Sequence, residues 1–266
     1  MSYNLPSSAT SNFYLLFFPV LTYNITKMTN NKSILIIIPT YNERDNIASL
    51  LGKIYSLEMN LAVLVIDDNS PDKTAQAAAE LQNTYPNLYI INRKRKMGLG
   101  SAYKEGFKYA LKNGYDIIIQ MDADLSHLPQ YIPRMVDLLE DHDLVIGSRY
   151  VKAGGVSGWP FSRSLLSRFA NIFSKKMLRL HVSDLTSGFK CIRSHALESM
   201  DFNNISARGY AFQIEMVYKI LLRRFKAIEY PIIFIGRTKE RSKISFGIII
   251  EAFFRVILLA FKNITS

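Results

Sequence analysis

Ile117-Ile-Ile-Gln-Met-Asp-Ala-Asp124 is the stretch on which the reading of this chain turns. A short, unbroken apolar run reads as a strand covered on both faces, as in a parallel sheet. The acids at its end fall where such sheets bind ligands, beyond the carboxyl ends of the strands. The same plan recurs along the chain. Ile34–Ile38 runs into Pro39-Thr-Tyr-Asn-Glu43, and Leu61–Ile66 into Asp67-Asp-Asn-Ser70. Leu88–Ile91 reads as a third strand, and Leu144–Ile146 runs into Gly147-Ser-Arg149. Helical apolar spacing fills the gaps: positions 47, 50, 51 and 54, a stretch from Pro71 through the alanines to about Leu81, and Leu99–Leu111, stopped by Gly114. Strand and helix alternate, which predicts an α/β fold with a doubly wound, mostly parallel sheet.

Beyond Tyr150 the pattern changes. Gly154-Gly155, Gly158 and Trp159-Pro160 make a loop, followed by a basic helical stretch at about Ser162–Leu180. Thr186–Arg193 reads as strand, Tyr210–Arg224 as helix and Ala227–Gly236 as strand. The very basic Arg237–Lys243 leads to a last helix, whose strongest apolar residues fall at 246, 249, 250, 253, 254, 257, 258 and 261. That stripe suits a helix packed on the core or one lying in a membrane interface, with Glu251 and Arg255 paired on the other side. The expected organisation is a disordered extension over 1–32, a catalytic domain over 33–245 and an amphipathic interfacial helix over 246–266.

Lys and Arg number 33 against 22 Asp and Glu, a formal charge of +11. Anionic partners are favoured, whether phosphorylated small molecules, anionic lipid or nucleic acid. The single cysteine, Cys191, excludes a disulfide framework and a cysteine-based zinc site. No stretch reaches the roughly 18 uninterrupted apolar residues of a membrane-spanning helix. Phe13–Leu21 is short, contains Pro19 and has no Lys or Arg before it, unlike a signal peptide.

The chemistry gathers at the strand ends: Glu43, Asp67-Asp68, Asp122 and Asp124, and Arg149. Alternate carboxylates on an extended segment can share a hard cation, and Mg²⁺ or Mn²⁺ takes oxygen ligands together with substrate phosphates. Alternatively Asp122 caps the following helix and Asp124 is solvated. Gly98-Leu-Gly100 is a fragment of a dinucleotide fingerprint, but Tyr103 replaces its third glycine and it follows the third strand. His127 and His181 have no zinc-ligand spacing, which leaves them at the surface or behind the site.

The motifs above, in order, continue through Gly147-Ser-Arg-Tyr150, Asp184-Leu-Thr-Ser-Gly-Phe189, Tyr210-Ala-Phe-Gln-Ile-Glu215 and Ser242-Lys243. From about Ser33 onward the set resembles the inverting family 2 glycosyltransferases and, within them, the dolichol-phosphate mannosyltransferases. The resemblance implies the GT-A fold and transfer of mannose from GDP-mannose to dolichyl or another polyprenyl phosphate, with Mg²⁺ or Mn²⁺ as cofactor. It implies that Pro39, Tyr41, Glu43, Ile66 and Asp68 hold the guanine nucleoside. Asp122, Ala123 and Asp124 hold the diphosphate, the two acids through the metal. Arg149, Arg237 and Lys243 face phosphates, with Asp124 and Arg149 as the catalytic pair. Arg163 and Ser167 grip the lipid phosphate. Ser126 stands where some relatives have Gln, which leaves the third metal ligand open. The implied setting is peripheral: the cytosolic face of the endoplasmic reticulum, or the inner membrane in a bacterium, with small membrane-anchoring subunits as partners. Two alternatives stand beside it, a UDP-glucose-dependent polyprenyl-phosphate glucosyltransferase and a non-catalytic lobe binding nucleotide sugar or RNA. Nucleic acid is not expected as a partner, because no aromatic-and-basic single-strand module is present.

Overall fold

The computed structural model describes residues 32–205, 207, 209–236 and 246–262. The expected N-terminal extension, apart from Lys32, lies outside the described residues, as do Arg237 and Lys243.

The first half alternates as expected: β1 (Ile34–Thr40), α1 (Arg44–Tyr55), β2 (Leu61–Asp67), α2 (Thr74–Glu80), β3 (Leu88–Asn92), α3 (Leu99–Lys112) and β4 (Ile117–Gln120). There follow α4 (Ile132–Asp137), β5 (Leu144–Ser148), β6 (Gly155–Ser157), α5 (Phe161–Met177), β7 (Lys190–Arg193), α6 (Ser194–Ser199) and α7 (Gly209–Leu222). The chain then runs through β8 (Ala227–Pro231), β9 (Ile233–Ile235) and α8 (Phe246–Lys262). Seven strands form one sheet in the order β3-β2-β1-β4-β7-β5-β8, and β6 and β9 form a small second sheet. Every pairing in the large sheet is parallel except the two that β7 makes with β4 and β5. Strand pleating divides the core into two. Leu35, Ile37, Leu64, Ile66 and Ile118 face α3, α6 and α7, and Ile34, Ile36, Ile38, Val63, Val65 and Ile119 face α1, α2 and α4. Gly106 lets α3 lie close on the sheet, since a Cβ there would sit 2.6 Å from Ile37 Cγ2.

Three expected elements differ. The second helix starts at Thr74 rather than Pro71, because Asp72 folds back to accept hydrogen bonds from the Thr74 N–H and hydroxyl. The expected strand Thr186–Arg193 pairs only from Lys190, because the Ser187 hydroxyl donates to Gly147 O and accepts from the Phe189 N–H, tying a turn. The expected strand Ala227–Gly236 divides at Ile232, its second part leaving the large sheet to pair with β6.

The last helix is apolar on two sides. Val256 and Leu259 are buried against α7, whereas Phe253, Phe254, Leu258 and Phe261 are exposed. Arg255 bonds Glu215 of α7 through both carboxylate oxygens, at 2.9 and 3.1 Å, instead of the expected pairing with Glu251. The basic helix also differs from its expected character. Phe161, Leu165, Leu166, Phe169 and Ile172 of α5 are exposed and form an outward apolar face next to that of α8. Among the described residues no helix is long and apolar enough to cross a membrane.

Candidate active site

The carboxyl ends of β2, β1 and β4 lie side by side. At the end of β1, Glu43 is buried; its N–H donates to Thr74 Oγ1, and Asn46 Nδ2 donates to its carboxylate at 2.8 Å. Tyr41 is half-buried, with the Lys96 ammonium 3.6 Å from its ring centroid, and Pro39 is partly exposed beside it. Ile66 is fully buried under α3. Asp68 is buried and pinned: Arg93 pairs with it, and the backbone N–H groups of Met97 and Gly98 donate to Oδ2 at 3.1 and 2.8 Å. That carboxylate therefore fastens the loop after β3 to the end of β2. The expected nucleoside residues are thus brought to one edge, with Ile66 and Asp68 in supporting positions.

Asp122 and Asp124 follow β4. Both are partly exposed, while Ala123 between them is buried. Asp124 Oδ1 accepts from the Ser126 N–H and hydroxyl. Ser126 is fully buried, so its hydroxyl orients Asp124. The Asp122 N–H donates to His127 Nδ1 at 3.2 Å, which assigns the remaining proton of the neutral ring to Nε2. His127 is buried and stacks on Phe189, and burial lowers its pKa; His181 is exposed. Of the two places expected for these histidines, His127 takes the one behind the site. Gly188 lies under the Asp122 carboxylate: a Cβ there would stand 3.1 and 3.2 Å from its two oxygens. Among the described residues, no group of three or more His, Cys, Asp or Glu could enclose a cation. Two carboxylates on a partly open edge suit a hard ion that completes its shell with water and phosphate oxygens.

Arg149, at the end of β5, is 5% exposed and clamped by Asp184, with Nε to Oδ2 and Nη2 to Oδ1 both at 2.7 Å. Nη2 also donates to Thr186 Oγ1. Burial alone would raise the Asp184 pKa, but the charge and hydrogen bonds of Arg149 pull it below the usual carboxylate value. The segment 184–190 is a shared scaffold. Asp184 and Thr186 hold Arg149, Gly188 underlies Asp122, Phe189 stacks on His127, and Lys190 is buried in the sheet.

From Arg149 a groove of about 870 Å³, part of it open to solvent, runs between α5, α7 and α8. Arg149, Arg163 and Ser167 lie at its polar end with Trp159 and Tyr210, and Phe169, Phe173, Ile214, Phe253 and Val256 line the rest. The Arg163 guanidinium lies 4.1 Å from the Trp159 ring centroid, and its buried Nε has no hydrogen-bond partner among the described residues. Tyr150 OH donates to Ser167 Oγ at 2.6 Å. Burial raises the Tyr210 pKa; Asp122 adds to this, and the charge and hydrogen bond of Arg163 and the charge of Arg149 oppose it, so Tyr210 feels both signs of charge. Arg149, Arg163 and Ser167 thereby line one groove, and Asp122 lies within electrostatic reach of Tyr210 at its polar end. Sequence reasoning assigned no role to Asp184, Thr186, Gly188, Lys190 or Tyr210, although a lysine inside an apolar strand was a signal.

The chain is 40% identical over 224 residues to a polyprenol monophosphomannose synthase of Mycolicibacterium smegmatis, covering 84% of each chain. It is 38% identical over 219 residues to an undecaprenyl-phosphate mannosyltransferase of Micrococcus luteus, covering 82% of this chain and 90% of that one. Its fold matches that of the glucosyl-3-phosphoglycerate synthase of Mycobacterium tuberculosis solved with Mn²⁺, UDP and glucosyl-3-phosphoglycerate. The TM-score is 0.65 at 17% identity, covering 91% of this chain and 84% of that one. Residues 35–200 match the family described as glycosyl transferase family 2, with the acid pair, Arg149 and the scaffold beneath them all inside the matched span, and the chain belongs to that family.

Proposed function

We propose that the protein transfers mannose from GDP-mannose to a polyprenyl phosphate, with inversion at the anomeric carbon. One observation carries the reading: an apolar groove runs from a polar end that holds buried Arg149, partly buried Arg163 and Ser167, with the Asp122 carboxylate within electrostatic reach of Tyr210 there. A diphosphate sugar suits the acid side, a phosphate the polar end and an isoprenoid chain the apolar groove. Both bacterial relatives are named for polyprenyl-linked mannose chemistry, which supports this acceptor class over dolichol alone.

In this reading Pro39, Tyr41 and Glu43 hold the nucleoside, with Ile66 and Asp68 shaping its floor. Asp122 and Asp124 hold Mg²⁺ or Mn²⁺, and Ala123 lies beside the diphosphate; Arg237 and Lys243 belong to the donor side by resemblance. The ion, when bound, supplies positive charge against the departing diphosphate. Arg163 and Ser167 hold the acceptor phosphate. Arg149, fixed by Asp184, faces the developing negative charge without having to reorganise. The acceptor is an anion at neutral pH, so its oxygen attacks the anomeric carbon without a general base. His127, neutral and turned to Asp122, serves position rather than proton transfer.

The exposed apolar faces of α5 and α8 flank the groove, and Arg168, Lys175, Lys176 and Arg179 lie on or just after α5. Together they suit an anionic lipid surface, giving peripheral attachment on the cytoplasmic side of a membrane, where small anchoring subunits would also dock. Phe253 stacks on Phe173 at 4.5 Å at the wall of the groove, so on this reading the outward contact falls to Phe254, Leu258 and Phe261.

The test is a radiolabel transfer assay comparing GDP-mannose with UDP-glucose, and undecaprenyl phosphate with dolichyl phosphate. Mannose transfer from GDP-mannose to either lipid supports the proposal. Transfer only from UDP-glucose moves the protein to the glucosyltransferase alternative.

A further inference from the structure

Lys190 is fully buried in β7 and belongs to no part of the machinery assigned so far. Its ammonium donates to the Ser187 carbonyl oxygen and, at 2.7 Å, to Gln213 Oε1 of α7. Burying a charge is costly, and a well-packed apolar side chain of similar shape is commonly as stable or more so. The polar interior does not close on itself either. Gln120, opposite Lys190 in the β4–β7 pairing, has neither amide atom hydrogen-bonded among the described residues, and nor has Gln213 Nε2. Stability alone therefore does not account for a lysine here.

What Lys190 holds is more informative. Ser187, whose carbonyl it grips, is followed by Gly188, and Gly188 is the floor against which the Asp122 carboxylate rests. The opposite side of the turn is tied by the Ser187 hydroxyl to Gly147. The turn is thus fixed from both sides, and Gly188 lies close under Asp122: a Cβ added there would stand 3.1 Å from its Oδ2, so the position of the turn bears on where the carboxylate can rest. Burial draws the Lys190 pKa down to about 7, while the carboxylates of Asp184 and Asp122 push it back up.

We propose that Lys190 is a positioning residue for cation binding: it locks the Ser187–Gly188 turn so that Gly188 seats the Asp122 carboxylate toward the cleft. This rests on the reading that Asp122 and Asp124 hold a divalent ion. The test is Mn²⁺ titration by calorimetry in the presence of GDP, alongside thermal melting, on the full chain and on K190M, G188A and the double variant. K190M should bind Mn²⁺ about tenfold or more weakly, the usual effect of losing a group that orients a ligand, with the fold retained and any fall in Tm too small to unfold the protein under the conditions of the titration. The Mn²⁺ needed for half-maximal transfer should rise in step while turnover at saturating Mn²⁺ falls much less. G188A should show a similar loss, and the double variant should be little worse than G188A, since both changes act on one seat. Wild-type Mn²⁺ affinity in K190M overturns the proposal. Should K190M fail to fold, Gln213→Met removes the ammonium's other anchor and leaves the charge. Weaker Mn²⁺ binding in that variant supports the proposal, and unchanged binding overturns it. If the unmodified protein binds no Mn²⁺ or Mg²⁺ beside GDP, the metal reading itself fails, a result distinct from a wild-type-like variant.

Discussion

Asp124 offers a charge change with little structural cost. Its Oδ1 accepts from the Ser126 N–H and hydroxyl, and an asparagine oxygen can accept both. Asp124→Asn should therefore keep the fold and its Tm while lowering transfer by ~10² or more, the common effect of removing a stabiliser of transition-state charge. Turnover at saturating Mn²⁺ or Mg²⁺ is the measurement, and near-wild-type turnover refutes the role. His127 sets a pH limit on stability. Burial, the largest influence, lowers its pKa; Arg149 and Lys190 add to this, and Asp122 and Asp124 oppose it. Its folded pKa lies below the ordinary 6.5, so above that pH neither state carries the proton. As pH falls below it, the unfolded chain takes up a proton that the folded chain refuses, and stability is lost through that window. Urea midpoints between about pH 7.5 and 5 should drop less steeply in His127→Gln than in the unmodified protein. At this scale Asp122, Asp124 and Arg149 were legible because acids and a guanidinium at strand ends advertise a ligand. Lys190 and Gly188 were not, because their meaning lies in what stands across a turn.

At the scale of elements, legibility followed burial. The strands β1, β2, β4 and β5 are covered on both faces and so appear as unbroken apolar runs. β7 was overextended in the reading, since Thr186 and Phe189 favour strands, and the turn between them is fixed by a local bond from the Phe189 N–H to the Ser187 hydroxyl and by that hydroxyl's distant bond to Gly147. α8 gave the opposite difficulty. Its stripe was visible, but a helix apolar on two sides does not say which side faces the core. Val256, Leu259 and the Arg255–Glu215 pair settle that. Arg255→Leu, which leaves the buried Glu215 only the longer 3.8 Å pairing with Lys219, should cost about 2 kcal/mol, the scale of a hydrogen bond to a charged group. Hydrogen exchange should show the amides of α8 opening earlier than those of α7. Equal protection in the variant would mean that apolar packing alone docks the helix. The outward face of α5 was hidden by its basic residues, because apolar and charged positions share the same turns.

For the whole molecule, the charge of +11 and the paired faces of α5 and α8 give one expected behaviour, reversible and salt-sensitive adhesion to anionic vesicles. Changing Phe161 and Phe169 to Ser, or Phe254 and Leu258 to Ser, should each weaken vesicle binding by about tenfold or more, from the apolar area withdrawn from lipid. Flotation measures this, GDP binding should be unaltered, and unchanged flotation in both variants excludes this surface as the contact. The reversed strand β7 has a consequence of its own. It is stitched to β4 on one side and β5 on the other, so Asp122 and Arg149 stand at the ends of strands two places apart in one continuous lattice. The gap between their strands is close to two inter-strand spacings, roughly 10 Å. No hinge lies between these strands, so on the proposed reading the metal-holding acids and the arginine that meets the departing diphosphate are kept at one fixed span. A diphosphate mimic should be designed to that fixed span, because the sheet will not stretch to meet a longer anion or contract around a shorter one.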